Sequence, residues 1–184
     1  KPNLAMRFYR EAVHIDPLLD KGWLKITRFY IKKGQYQKAL ESVQKAVNLD
    51  GENPVYWLLA AHICYKTKRY EDAVNGYVKA ISLGDFNLKT WLRLADALCS
   101  MSEWQQALDQ LVMADTLFPQ NAKVKYRMAA LFYVLGHTVK AKKHLQKALE
   151  LSPESAAGLA KKFPVFYHSE FFASLANVYK NRPI

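Results

Sequence analysis

Cysteine is nearly absent: Cys64 and Cys99 are the only two in 184 residues. Two thiols cannot build a disulfide framework, nor a zinc site by themselves. They read as small buried apolar residues, and their scarcity leans towards a reducing, cytoplasmic compartment. Glycine and proline are scarce too, seven of each, which excludes a collagen-like or low-complexity chain. Acidic residues are outnumbered, 16 against 27 Lys and Arg, for a formal charge of +11 at neutral pH. No apolar run approaches the roughly 20 residues of a membrane-spanning helix. The longest, residues 128–136, lies between Arg127 and Lys140, so no membrane insertion is expected. No basic, apolar and small-residue succession marks a secretory signal. What is plentiful is apolar surface, with 51% hydrophobic types and 13% aromatics. That is enough to offset the entropy of ordering, and it excludes intrinsic disorder.

Self-similarity organises the rest. Trp23, Trp57 and Trp91 are 34 residues apart, and Ala5, Ala39, Ala73, Ala107 and Ala141 keep the same period. So do Ala12, Ala46, Ala80, Ala114 and Ala148, and the small residues Thr27, Ala61, Ala95 and Ala129. The spacing predicts four full units, 20–53, 54–87, 88–121 and 122–155, preceded at 1–19 by the second helix of a truncated unit. Lys1 thus falls inside a unit, and the sequence reads as a piece of a longer chain. Each unit holds two apolar patterns at helical spacing, broken at Lys33-Gly34, Thr67-Lys68, Met101-Ser102 and Leu135-Gly136. Small side chains at fixed columns let two helix axes approach. Large ones such as Trp23, Val43, Trp57, Tyr77 and Leu111 fill the remaining space, and stacking joins the units into one core.

These columns resemble the tetratricopeptide repeat family. In the first full unit the pattern is Trp23, Ile26, Thr27, Tyr30, Ala39, Val43, Ala46 and Gly51; in the third it is Trp91, Leu94, Ala95, Leu98, Ala107, Leu111, Ala114 and Pro119. Gly51 and Asp85 depart from the family's Pro, and Lys125 from its leading aromatic, with Tyr126 one residue later as a substitute. The resemblance covers residues 1–155. It implies an all-α, right-handed superhelical solenoid of helix–turn–helix repeats. Residues 156–166 read as a shortened first helix ended by Phe163-Pro164, and 169–180 as a C-terminal capping helix carrying Phe171, Phe172, Leu175, Ala176 and Tyr179. Residues 181–184 read as a natural end after the cap.

Catalysis needs convergent groups with tuned ionisation, and none is visible. The glycines are scattered at turns rather than gathered in a phosphate loop. No His pair has one-turn metal spacing, and no nucleophile–base signature is present. Neither enzyme activity nor a metal or cofactor is expected. His62, on the inner face of its helix, reads as a half-exposed imidazole.

The family's geometry implies that first helices line a concave groove. Its facing positions would be Lys21, Leu24, Lys25, Arg28, Ile31 and Lys32; then Val55, Leu58, Leu59, His62, Tyr65 and Lys66; then Lys89, Leu92, Arg93, Asp96, Cys99 and Ser100; then Lys123, Tyr126, Arg127, Ala130, Tyr133 and Val134. Nine of these 24 positions are Lys or Arg and one is acidic, more than twice a uniform share, with the outer helices nearly balanced. A wall of one sign concentrates counter-ions, so the expected ligand is acidic, and the tyrosines would hold its apolar groups. Lys89-x-x-x-Arg93 and Lys123-x-x-x-Arg127 match one element of the family's carboxylate clamp. The companion Asn positions hold other residues, which leaves two basic pairs for carboxylates or phosphates.

The leading expectation is therefore a non-catalytic scaffold that binds an acidic peptide or protein segment in a basic groove and assists complex assembly. A second reading is RNA or other nucleic-acid binding, from the positive charge and basic–aromatic mixing, although no repeating base code is visible. A third is a regulatory domain of a larger enzyme or secretion system. Self-association through the truncated N-terminal end is a further expectation.

Overall fold

The computed structural model describes residues 2–180, and the expected natural end at 181–184 lies outside them. Eleven α-helices follow one another among the described residues: α1 (Pro2–Ile15), α2 (Asp20–Lys32), α3 (Tyr36–Leu49), α4 (Pro54–Lys66), α5 (Tyr70–Ser82), α6 (Leu88–Ser100), α7 (Trp104–Leu117), α8 (Ala122–Val134), α9 (Thr138–Leu151), α10 (Pro164–Tyr167) and α11 (Glu170–Lys180). A 3-10 segment, Pro153–Leu159, separates α9 from α10. No helix among the described residues is long and apolar enough to cross a membrane.

Local chemistry sets the boundaries, and it repeats. Gly34, Lys68, Ser102 and Gly136, each 34 residues from the next, all take positive φ, between 62° and 80°. In each case the following N–H reaches the carbonyl five residues back: Gln35 to Tyr30, Arg69 to Cys64, Glu103 to Leu98 and His137 to Phe132, at 2.8–3.0 Å. This left-handed closure satisfies the last helical carbonyls and reverses the chain. First helices start with a second repeated device. Asn53, Asn87 and Asn121 each accept, through the side-chain oxygen, the N–H two residues on, at 2.9–3.1 Å. Asparagine at this position satisfies one of the N–H groups a helix start leaves unpaired.

The alanine columns are the core. Ala39, Ala73, Ala107 and Ala141 are fully buried, as are Ala46, Ala80, Ala114 and Ala148, and Thr27, Ala61, Ala95 and Ala129 are at most 1% exposed. A Cβ on Gly76 would stand 2.9 Å from the Ala61 Cβ, which shows how closely α4 and α5 approach. By contact the chain divides into two compact units, Lys1–Thr90 and Trp91–Ile184. In the first, α2 pairs with α3 and α4 with α5, while α4 docks on α3 and α1 on α2. In the second, α8 pairs with α9 and docks on α7.

The C-terminal region departs from expectation in one element. Residues 156–166 are not a shortened α-helix ended by Pro164. A 3-10 segment ends at Leu159, and Pro164 opens the four-residue α10. Proline fits a first helical turn because its missing N–H is not needed there. The capping helix is present as α11, started by Ser169, whose Oγ accepts the Phe172 N–H at 3.2 Å. It packs on α9, α10 and the 3-10 segment.

Candidate functional site

The first unit presents four of the expected ligand residues to solvent on one helix. Lys21, Lys25, Arg28 and Lys32 fall at i, i+4, i+7 and i+11 of α2, and all four are exposed. Residues at this spacing share one helix face, so the four cations form one stripe. None of them makes an ion pair among the described residues. The acid at the start of α2, Asp20, is engaged elsewhere: its carboxylate accepts the buried Tyr56 hydroxyl. That bond holds the Asp20 carboxyl below the usual range, while burial and the same partner push the Tyr56 phenol up. Like charges one turn apart cost a few tenths of a kcal/mol per pair, roughly 0.2–0.5, so the stripe is not there for helix stability.

Beside it lies a groove of about 380 Å³ between α1 and α2, lined by Ala5, Tyr9, Lys25, Arg28, Phe29 and Lys32. Three cations thus stand next to two aromatic walls. On α4, Leu58, Leu59, His62 and Tyr65 are half-buried, and the Tyr65 ring meets Tyr70 edge-on at 5.6 Å. Lys66 is exposed in the last turn of α4, where a cation also complements the helix dipole. Lys89 is exposed in the first turn of α6.

The second unit is organised differently, and three expected ligand residues change role there. Tyr126 is 1% exposed and donates its hydroxyl to the Ser152 carbonyl at 3.1 Å. It takes the interior place that Lys125 vacates, while Lys125 pairs with Asp115 at 2.6 Å. Arg127 is mostly covered and grips Asp96, Nε to Oδ1 at 3.1 Å. Tyr133 is half-buried against Phe166 and Phe171, ring centroids 5.3 and 5.2 Å away. Asp96, 7% exposed, also receives Lys162 Nζ at 2.7 Å. Burial, with Asp96 adding to it, pushes the neighbouring Cys99 thiol up to about 12, so it is a thiol rather than a thiolate at neutral pH. Arg93 is half-buried and Lys123 exposed.

The structure therefore brings Lys21, Lys25, Arg28 and Lys32 together on one open face and withdraws Tyr126, Arg127 and Tyr133 from solvent. Sequence reasoning missed Tyr9 and Phe29 as groove walls. Tyr9 lies four residues after Ala5 and Phe29 directly follows Arg28, so both were within reach of the repeat register. It also missed Lys162, which no periodicity marks. Among the described residues, no cluster of three or more His, Cys, Asp or Glu side chains is arranged to hold a metal ion.

A family model described as anaphase-promoting complex, cyclosome, subunit 3 matches residues 22–80. A tetratricopeptide repeat model matches residues 123–155. No curated protein matches the sequence. Among solved structures, MamA is similar over 83% of this chain and 90% of its own, at 22% identity and a TM-score of 0.76. YrrB, described as a TPR protein with an unusual peptide-binding site, is similar over 88% of this chain and 83% of its own, at 20% identity and a TM-score of 0.77. At this identity the likeness is one of fold.

Proposed function

Because this chain is a tetratricopeptide-repeat protein, we propose that it serves as a non-catalytic interaction scaffold whose first unit holds an acidic segment of a protein partner. The observation that carries the reading is the α2 stripe, four exposed cations on one face, none of them in an ion pair among the described residues. A carboxylate-rich segment laid along α2 would relieve the mutual repulsion of the stripe. Arg28 supplies a planar fork for a carboxylate, and Lys25 and Lys32 supply point charges one turn to either side. Tyr9 and Phe29 offer faces for an aromatic or aliphatic side chain between the acids, a composition common among energetic hot spots. YrrB, as a peptide-binding protein of the same fold, supports the peptide as ligand class.

The test uses a fluorescein-labelled peptide of alternating Glu and Asp interrupted by Tyr and Leu, titrated with the protein and followed by anisotropy. The double variant Lys25→Glu/Arg28→Glu should weaken binding by about two orders of magnitude, on the scale of about 1.4 kcal/mol per tenfold. The parent affinity should also fall as salt is raised, because exposed charges are screened beyond about 10 Å at 0.1 M. Unchanged affinity in the variant would remove the reading.

A further inference from the structure

We infer that residues 160–172 form a displaceable latch over the inner face of the second unit, with Lys162 seated on Asp96 where the cation of a basic, aromatic-rich partner segment would otherwise sit. Three observations support this, none of them in the first unit. First, Asp96 is the one acidic side chain among the inner-face positions, is nearly buried, and already has Arg127 at 3.1 Å from its Oδ1. Lys162 adds a second cation at 2.7 Å on Oδ2, and its own side chain remains 32% exposed. Arg127 Nη2 also reaches Oδ2, at 3.4 Å, and of the two cations Lys162 is the one at the water's edge, so it is the one another cation can replace without leaving the buried Asp96 unpaired.

Second, the latch is built from short elements anchored by buried aromatic side chains. The seven-residue 3-10 segment that leads into it, ending at Leu159, is longer than the three or four residues over which this geometry is usually sustained. The α10 helix has only four residues. By contrast Phe163, Phe166 and Phe172 are buried. Phe166 meets Tyr133 at 5.3 Å and Phe172 at 5.6 Å. Single turns of this kind, joined end to end rather than drawn into one long helix, open locally at lower free energy than the helices they cover.

Third, the contacts read as a ligand pattern: a cation at 162, an aromatic immediately after it, a proline, and a second aromatic at 166. A partner segment with the same order could make the same contacts on Asp96 and the α8 aromatic face, by the side-chain-in-pocket mode that extended segments use. The preference for a cation is confined to Asp96 and does not extend to the second unit's surface, and this inference stands or falls apart from the acidic ligand proposed for the first unit.

Cys99, three residues after Asp96 on the same helix, is half-buried; Lys162 favours its thiolate, so a faster reaction on Lys162→Glu runs against the electrostatic change and reports opening. In the full chain carrying Cys64→Ala, Cys99 is the single thiol, and its rate of reaction with a maleimide measures opening. Adding Lys162→Glu should raise that rate about tenfold or more, while Lys162→Arg leaves it within about threefold, with the melting midpoint nearly constant. A labelled peptide of residues 160–173 should bind the Lys162→Glu protein at least tenfold more tightly than the parent, and lose that binding on Asp96→Asn. Native-state hydrogen exchange of the unaltered chain gives an independent reading: amides of residues 160–172 should exchange before those of α8 and α9. A Cys99 rate unaffected by Lys162→Glu, peptide binding that ignores Asp96, or exchange of the segment only together with α8 would each overturn the latch.

Discussion

At the scale of single residues, burial decides which charges are tolerated. His144 on α9 is half-buried, with its ring stacked on Phe132 at 5.1 Å. Burial holds its imidazole below the ordinary value of 6.5; Lys125 and Lys143 press the same way, and Asp115 opposes them. The folded protein therefore binds this proton less readily than the unfolded chain does. Above about pH 6.5 neither state is protonated there and His144 costs nothing. As pH falls below that value, the unfolded chain takes up the proton first and stability drops, until the folded site titrates as well. Urea midpoints measured at pH 7.5 and pH 5.5 should show the parent losing stability on acidification, and His144→Gln should shrink that difference. An identical difference in the variant would mean that another group carries the effect.

At the scale of elements, turns and caps carry the repeat as firmly as the core does. Two of the four left-handed turn positions hold glycine, and two hold Lys68 and Ser102, both at φ 62°. An L-residue pays roughly 1–2 kcal/mol to sit there, partly offset by the extra freedom glycine loses on folding, about 0.5–1 kcal/mol. Lys68→Gly and Ser102→Gly should each stabilise the protein by about 0.5–1 kcal/mol, read as a rise in the thermal midpoint. These elements were legible in the sequence because every device recurs at the same interval. The tryptophan and alanine columns set the register, and the Asn53, Asn87 and Asn121 column stood at that interval as well, though its capping role emerged only with the structure. Beyond residue 155 the period stops, and there the reading failed in part. Pro164 looked like a terminator, yet proline serves equally at a helix start, and only packing of Phe163 and Phe166 decides between the two.

At the scale of the whole molecule, net charge says less than its placement. Residues 1–90 hold 15 basic and nine acidic side chains, and residues 91–184 hold 12 and seven, so the two units carry nearly equal excess. What separates them is pairing. In the second unit Lys125, Arg127 and Lys162 are tied to Asp115 and Asp96, contacts between residues 10 to 66 positions apart that no local pattern reveals. The outer helices also balance only in sum, since α7 carries Asp109 and Asp115 without a cation whereas α9 carries Lys140, Lys142, Lys143 and Lys147 against Glu150. This asymmetry separates a placed site from a generic polycation. Lys25→Glu/Lys32→Glu on α2 and Lys142→Glu/Lys143→Glu on α9 each lower the formal charge by four. If the stripe selects the ligand, the α2 pair should cost an acidic peptide at least about tenfold in affinity and the α9 pair no more than about twofold or threefold. A single-stranded oligonucleotide titrated in parallel should be weak at physiological salt and respond to both pairs alike, because phosphate attraction depends chiefly on the number of cations available. Equal losses of the acidic peptide in the two variants would show that net charge alone attracts it. Tight oligonucleotide binding abolished only by the α2 pair would instead assign the stripe to nucleic acid.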